Sequence, residues 1–250
     1  MRLRCALYCR SCPDSLFVAL SPGLARHKAA SEGDVVVSMG GDHSLATGSV
    51  GGILKARPEV AVIWVDAHAD INTAATTGSG NLHGMPVSQL MKLPDTQDIP
   101  GFSWMSEVPV LRTNRIAYIG LRDVDRGERA LLRKYGIRAF SMHDVDKFGI
   151  GKVLFLAMQH VNPMRNRVFH LSFDIDAVDP HYAPSTGTSV PGGLTFREAH
   201  YIAEAMGATG LLGSMDIVEV NPFLGGGNAQ MKTIELGKDL VLSAFGNLPL

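Results

Sequence analysis

Val60–Gly84, VAVIWVDAHADINTAATTGSGNLHG, decides how the rest of the chain is read. Its first six residues, Val60–Val65, form a continuous apolar run rich in β-branched side chains, the pattern of a strand buried on both faces of a parallel sheet. Polar residues begin where the run ends. In extended backbone, residues i, i+2 and i+4 face one side, so Asp66, His68 and Asp70 present two carboxylates and an imidazole toward one point. Such a set suits a divalent metal.

Two other stretches have the same form. Val35–Met39 runs into GGDHS, and Val168–Phe173 runs into Asp174, Asp176 and Asp179. Taken singly, an Asp after a strand caps a helix or shapes a turn, and a lone His is an ordinary polar group. Three such clusters differ, because ligands of open α/β sheets bind outside the carboxyl ends of the strands. Crowding five or more carboxylates there without a cation costs several kcal/mol in repulsion and desolvation.

Cysteine is absent from these clusters, which argues against thiolate zinc or iron–sulfur chemistry. Carboxylates with a minority of imidazoles suit Mn(II) first, with Zn(II), Co(II) and Fe(II) as competitors. His43, Asp66, His68, Asp70, Asp174 and Asp176 are too many ligands for one ion that keeps an open position. They suit a pair of ions roughly 3.5–4 Å apart that shares carboxylates. Four Asp charges balance two divalent cations, so the remaining field acidifies a bridging water to hydroxide at neutral pH.

GGDHS at Gly40–Ser44, DAHADIN at Asp66–Asn72, SGNLHG at Ser79–Gly84, SFDIDAVDP at Ser172–Pro180 and EVNP at Glu219–Pro222 together resemble the ureohydrolase family, and its arginase branch. The match runs in order from about Val35 to Phe245. The resemblance implies a three-layer αβα sandwich with a mostly parallel sheet and two manganese ions per chain. It puts His43, Asp66, Asp70 and Asp174 on one ion and His68, Asp66, Asp174 and Asp176 on the other, with Asp66 and Asp174 bridging. The bridging hydroxide would attack the guanidinium carbon of L-arginine and release L-ornithine and urea.

In that resemblance Asp70 also orients the nucleophile, His83 shuttles a proton, and Glu219 holds the guanidinium with Thr188 nearby. Asn72 and Ser79 match receivers of the α-carboxylate, and Asp125 and Glu128 match residues on the α-amino side. Each has a plainer role to compete with: a structural histidine for His83, a turn or cap for Glu219, loop composition for Asn72 and Ser79, and first-turn helix acids for Asp125 and Glu128. Agmatine or another ureohydrolase substrate is the alternative to arginine. A non-catalytic metal-binding paralogue is the alternative to an enzyme.

The 250 residues suit one catalytic domain over 35–250, preceded by an atypical segment at 1–34 that is expected to be partly disordered. Strands are expected near 35–39, 60–65, 115–119, 137–141, 168–174 and 211–218, and helices near 45–56, 83–92, 127–135, 148–160, 195–206 and 230–244. This alternation predicts a parallel sheet covered on both faces. Pro94–Met105 reads as a linker-like stretch. The first strand unit of the family is expected to be missing, or its place filled differently. Cys5, Cys9 and Cys12 spell C-x3-C-x2-C, a chance match to a radical-enzyme cluster motif.

A net charge of −1 gives no footprint for nucleic acid or a membrane surface. No apolar run reaches the roughly 18 residues of a transmembrane helix. The family resemblance implies a homotrimer, weakened here by the lack of a C-terminal tail, with Arg197 a candidate for an intersubunit ion pair. Two motifs, DAHADIN and SFDIDAVDP, look closer to the mitochondrial type II animal enzymes, and Arg2, Arg4 and Arg10 suit a transit peptide. A mitochondrial location is therefore expected, with the cytoplasm as the alternative.

Overall fold

A computed structural model describes the backbone of residues 3–7 and, with side chains, residues 27–96 and 101–246. Its strands are β1 Leu3–Leu7, β2 Val35–Met39, β3 Ala61–Val65, β4 Ile116–Leu121, β5 Arg138–Ser141, β6 Phe169–Asp174 and β7 Leu212–Val218. They form one sheet in the order β1-β2-β7-β6-β3-β4-β5, and every pairing is parallel. The helices that cover it are α1 Leu45–Ala56, α2 Pro86–Leu90, α3 Arg126–Tyr135, α4 Met142–Phe148, α5 Ile150–Val161, α6 Phe196–Ala208 and α7 Asn228–Phe245.

Strand alternation sorts the apolar side chains into two cores. Val37, Ile63, Val65, Ile119 and Leu171 pack with residues of α5, α6 and α7. Val36, Val62, Trp64, Ile116 and Tyr118 pack with α1, α2 and α3. The αβα sandwich read from the sequence is the observed fold. Among the described residues no helix is long and apolar enough to cross a membrane.

Local chemistry sets the helix starts. Asp125 with Glu128, Ser141 with Asp144, and Thr195 with Glu198 each form a capping box, which satisfies two otherwise orphaned N–H groups at α3, α4 and α6. The box at Ser141 starts α4 directly after β5, a helix of only seven residues that periodicity did not reveal. Gly149, at φ +75°, then separates α4 from α5, so the helix expected from 148 begins at Ile150. The helix expected over 83–92 is likewise split, into a 3₁₀ turn at Leu82–Gly84 and α2, which restarts at Pro86.

Two readings are narrowed or corrected by the structure. Of the two expectations for the sheet edge beyond β2, a missing strand or a place filled differently, the structure shows the second: Leu3–Leu7 pairs with β2 in parallel, from Leu3↔Val35 to Leu7↔Met39. LRCAL does not read as a strand from sequence because its apolar run is short and broken by Arg4. Pro94–Met105 is not simply a linker, since Phe102 and Met105 are buried in the α1–α3 core and Trp104 packs against it. The expected disorder of the first segment falls mainly on residues outside those described. So do the side chains of the cysteine motif.

Candidate active site

β2, β7, β6 and β3 are neighbours, so their carboxyl ends bring four separate segments together. His43 lies between β2 and α1, Asp66, His68 and Asp70 follow β3, Asp174 ends β6, Asp176 lies in the 3₁₀ turn Ile175–Ala177, and Glu219 follows β7. Convergence at the strand ends is thus as expected, but the alternation argument for Asp66–Asp70 is not what produces it. β3 stops at Val65, and Asp70 turns into the left-handed region at φ +50°. Glu219 does the same at φ +59°. Such backbone in non-glycine residues costs about 1–3 kcal/mol and persists only where surrounding contacts impose it. The Tyr118 hydroxyl supplies one, donating to Ala69 O at 2.8 Å.

The imidazole of His43 is the centre of the first donor set. Its Nδ1 stands 3.1 Å from one oxygen each of Asp66, Asp70 and Asp174, yet forms no hydrogen bond of good geometry. Its Nε2 is 2.9 Å from Ser172 Oγ. Burial pulls the ring's pKa down, but Asp174, Asp66 and Asp70 outweigh it and hold it well above the ordinary imidazole value, so a cation at Nδ1 would take the place of a proton. Trp64 backs the set twice, stacking on His43 at 4.1 Å and donating its indole N–H to Asp66 Oδ2 at 2.9 Å. In the second set, His68 Nδ1 lies 3.5 Å from Asp66 Oδ1 and 3.2 Å from Asp176 Oδ2.

His43, Asp66 and Asp174 form one group of convergent donors, and Asp66, His68 and Asp176 the other. Asp66 belongs to both and turns a different oxygen to each, as a bridging carboxylate does. Burial and the neighbouring carboxylates push Asp70 and Asp174 well above the usual carboxylate range. Burial pulls the His68 imidazole down, but Asp176 and Asp66 outweigh it and hold the ring up at about 12. Buried carboxylates crowded around two imidazoles, with only those rings to offset their charge, fit divalent cations.

A cavity of about 260 Å³ opens over these groups. His68, Asp70, Asp174, Glu219, His83, Asn72, Ser79, Asp125, Glu128 and Thr188 all line it, so every site residue expected from the sequence is on its wall or just beneath. Glu219 Oε1 accepts from His43 N at 2.8 Å. Thr188 Oγ1 donates to Asp176 Oδ2 at 2.8 Å. Asn72 Nδ2 donates to Asp125 Oδ2 at 2.6 Å, while Asp125 also caps α3. Glu128 is buried, and that burial raises its carboxyl to about 7.

The sequence alone does not single out Trp64, Ser172, Arg122 or Gly127, nor Asp123, which lines the cavity 3.8 Å from His68 Nε2. The first two were detectable in principle, because an indole N–H or a hydroxyl inside an apolar buried strand needs a partner. Gly127 matters by its size: a Cβ there would stand 2.8 Å from Asn72 Oδ1.

The arginase family model matches residues 24–246. The chain belongs to the arginase family. A curated arginase from Glaciozyma antarctica is 58% identical over 219 residues, which are 87% of this chain and 63% of that one. The chain thus spans under two thirds of that relative's length. The crystal structure of a cold-adapted arginase from Glaciozyma antarctica superposes with a TM-score of 0.80 at 50% identity, covering 93% of this chain and 77% of the other. The Bacillus caldovelox arginase gives 0.81 at 34% identity, over 92% and 75%. In this arginase-family chain the matched region contains every strand from β2 to β7 and all the candidate ligands.

Proposed function

We propose that the chain hydrolyses L-arginine to L-ornithine and urea with two manganese ions. The observation that carries this is the pair of donor sets sharing Asp66 at the foot of a cavity whose upper wall carries Asn72, Ser79, Asp125 and Glu128. The ions, when bound, supply Lewis acidity and a water acidified to hydroxide near neutral pH.

The protein's residues do the rest. Glu219, oriented by the His43 N–H, offers its carboxylate to the substrate guanidinium, a charge-assisted and directional contact. Asp70 accepts a hydrogen bond from the attacking oxygen and aims it at the guanidinium carbon. A C–O bond forms, the C–N bond to the ornithine nitrogen breaks, and that nitrogen needs a proton to leave. His83, half-buried on the wall, is the group that passes it. At the far end Asn72 and Ser79 receive the α-carboxylate, and Asp125 and Glu128 receive the α-amino group.

Urea release from L-arginine by the chain after Mn(II) incubation, with agmatine and Asp174→Ala as controls, tests this. Urea from arginine that disappears in the variant supports it. Urea from agmatine instead would return the amino-acid-end residues to structural roles, and two bound ions without urea would mark a non-catalytic paralogue. A trimer using exposed Arg197 on α6 and a matrix location belong to the same proposal; light scattering and fractionation test them.

A further inference from the structure

Arg122 follows β4 directly and does not itself line the cavity, yet it holds three segments of the site at once. Its backbone N donates to Ala67 O at 2.9 Å, between Asp66 and His68. Its guanidinium uses five donor contacts, and all go to carbonyl oxygens. Nη2 donates to Asp176 O at 2.6 Å and Val190 O at 2.7 Å, Nη1 to Ala177 O at 3.1 Å and Gly120 O at 3.4 Å, and Nε to Val190 O at 3.2 Å. Val190 lies two residues beyond Thr188, which donates to the Asp176 carboxylate. Space for the fork is reserved: a Cβ on Gly193 would stand 2.6 Å from Arg122 Nη2.

The guanidinium contacts are one-sided: beyond its own strand end at Gly120 they reach residues 176, 177 and 190, beside Asp176, which belongs to one donor set alone, and none reaches the His43 loop. The backbone contact at Ala67 falls in the loop that Asp66, His68 and Asp70 share. We propose that Arg122 is a positioning residue that fixes Asp176 against Asp66 and His68, so that one of the two ion positions depends on it and the other does not. A planar fork can span carbonyls on three segments, whereas a lysine ammonium brings the same charge to a single point. Arg122→Lys therefore separates geometry from charge. This rests on the two-ion reading of the site.

The test titrates wild type, Arg122→Lys and Arg122→Met with Mn(II) alone, reading bound metal per chain and the electron paramagnetic resonance signal, with thermal melts alongside. Wild type should bind two ions and give a spin-coupled signal. Both variants should keep one ion at wild-type affinity and bind the second about 10–100-fold more weakly, with the signal of an isolated Mn(II). If Arg122→Met does not fold, Arg122→Lys decides alone. Two ions at unchanged affinity in Arg122→Lys would overturn the proposal, and so would equal weakening of both ions. Failure of wild type to bind a second ion would overturn the two-ion reading itself.

Discussion

At the floor of the cavity the candidate ligands leave the ends of buried strands and crowd against one another. Asp66, Asp174 and Asp176 are at most 2% exposed, and His43 is 1% exposed. At the rim, Ser79, Asp125 and Thr188 are exposed, and several rim groups already have protein partners, as Asn72 has Asp125 and Asp125 has the α3 N-terminus. The floor therefore carries an electrostatic cost that a cation relieves, whereas the rim is stable without any ligand. Damage to the floor should act on metal and rate. Damage to the rim should act on substrate affinity.

The largest effect is expected from Asp174→Ala. A Lewis acid contributes several kcal/mol to the transition state, so losing the ion that Asp174 helps to hold should cut kcat by about a thousandfold or more. Bound Mn(II) should fall with it. Activity within tenfold of wild type would mean that the floor is not where the chemistry happens.

Trp64→Phe comes next. The phenyl ring can keep the stack on His43 but removes the N–H that holds Asp66 Oδ2. Outer-sphere partners of metal ligands are worth about 10–100-fold in affinity, and the Mn(II) concentration for half-maximal activity should rise by that factor. An unchanged metal requirement with a lower melting temperature would reduce Trp64 to a packing residue.

This contrast also explains how much was legible. The floor was readable because buried parallel strands are apolar throughout, so an Asp or His at their ends stands out. Even there the backbone route was misread, since nothing in DAHADIN announces that Asp70 adopts positive φ. The inner strands β2, β3, β4, β6 and β7 are legible for the same reason, while β1 is interrupted by Arg4 and α4 is too short to carry a period. The rim was assigned through family resemblance, because Asn72, Ser79 and Asp125 sit in segments whose composition reads only as loop or cap. Arg122 was in plain view in LRDVDRGE, but its role depends on carbonyls of residues 176, 177 and 190, which no local pattern connects to it.

At the rim, Asp125 does two jobs that Asp125→Asn can separate. Asn caps a helix about as well as Asp, so the melting temperature should hold. If Asp125 faces the α-amino group as proposed, losing its charge removes a charge-assisted hydrogen bond, and KM for arginine should rise about tenfold or more with kcat little changed. Agmatine, which lacks the α-carboxylate, and the Mn(II) content serve as controls. A fall in kcat with metal loss would erase the distinction between floor and rim.

Glu128 gives the smallest effect, one of stability, and it probes where the two regions meet. Burial chiefly raises its carboxyl from 4.5 to about 7, with the charges of Asp125 and Asp66 adding to the rise. A raised carboxyl stabilises the fold fully below its unfolded value, and that contribution is lost as pH rises through the folded value. Between pH 5 and 8 wild type should therefore lose on the order of 2 kcal/mol relative to Glu128→Gln, which does not ionise. At this chain length that is a few degrees in melting temperature. The other ionisable groups remain the same in both proteins, so the difference between the two pH profiles isolates Glu128. Parallel profiles would mean that its carboxylate ionises as in water, and that the amine side of the cavity is wetter than its burial implies.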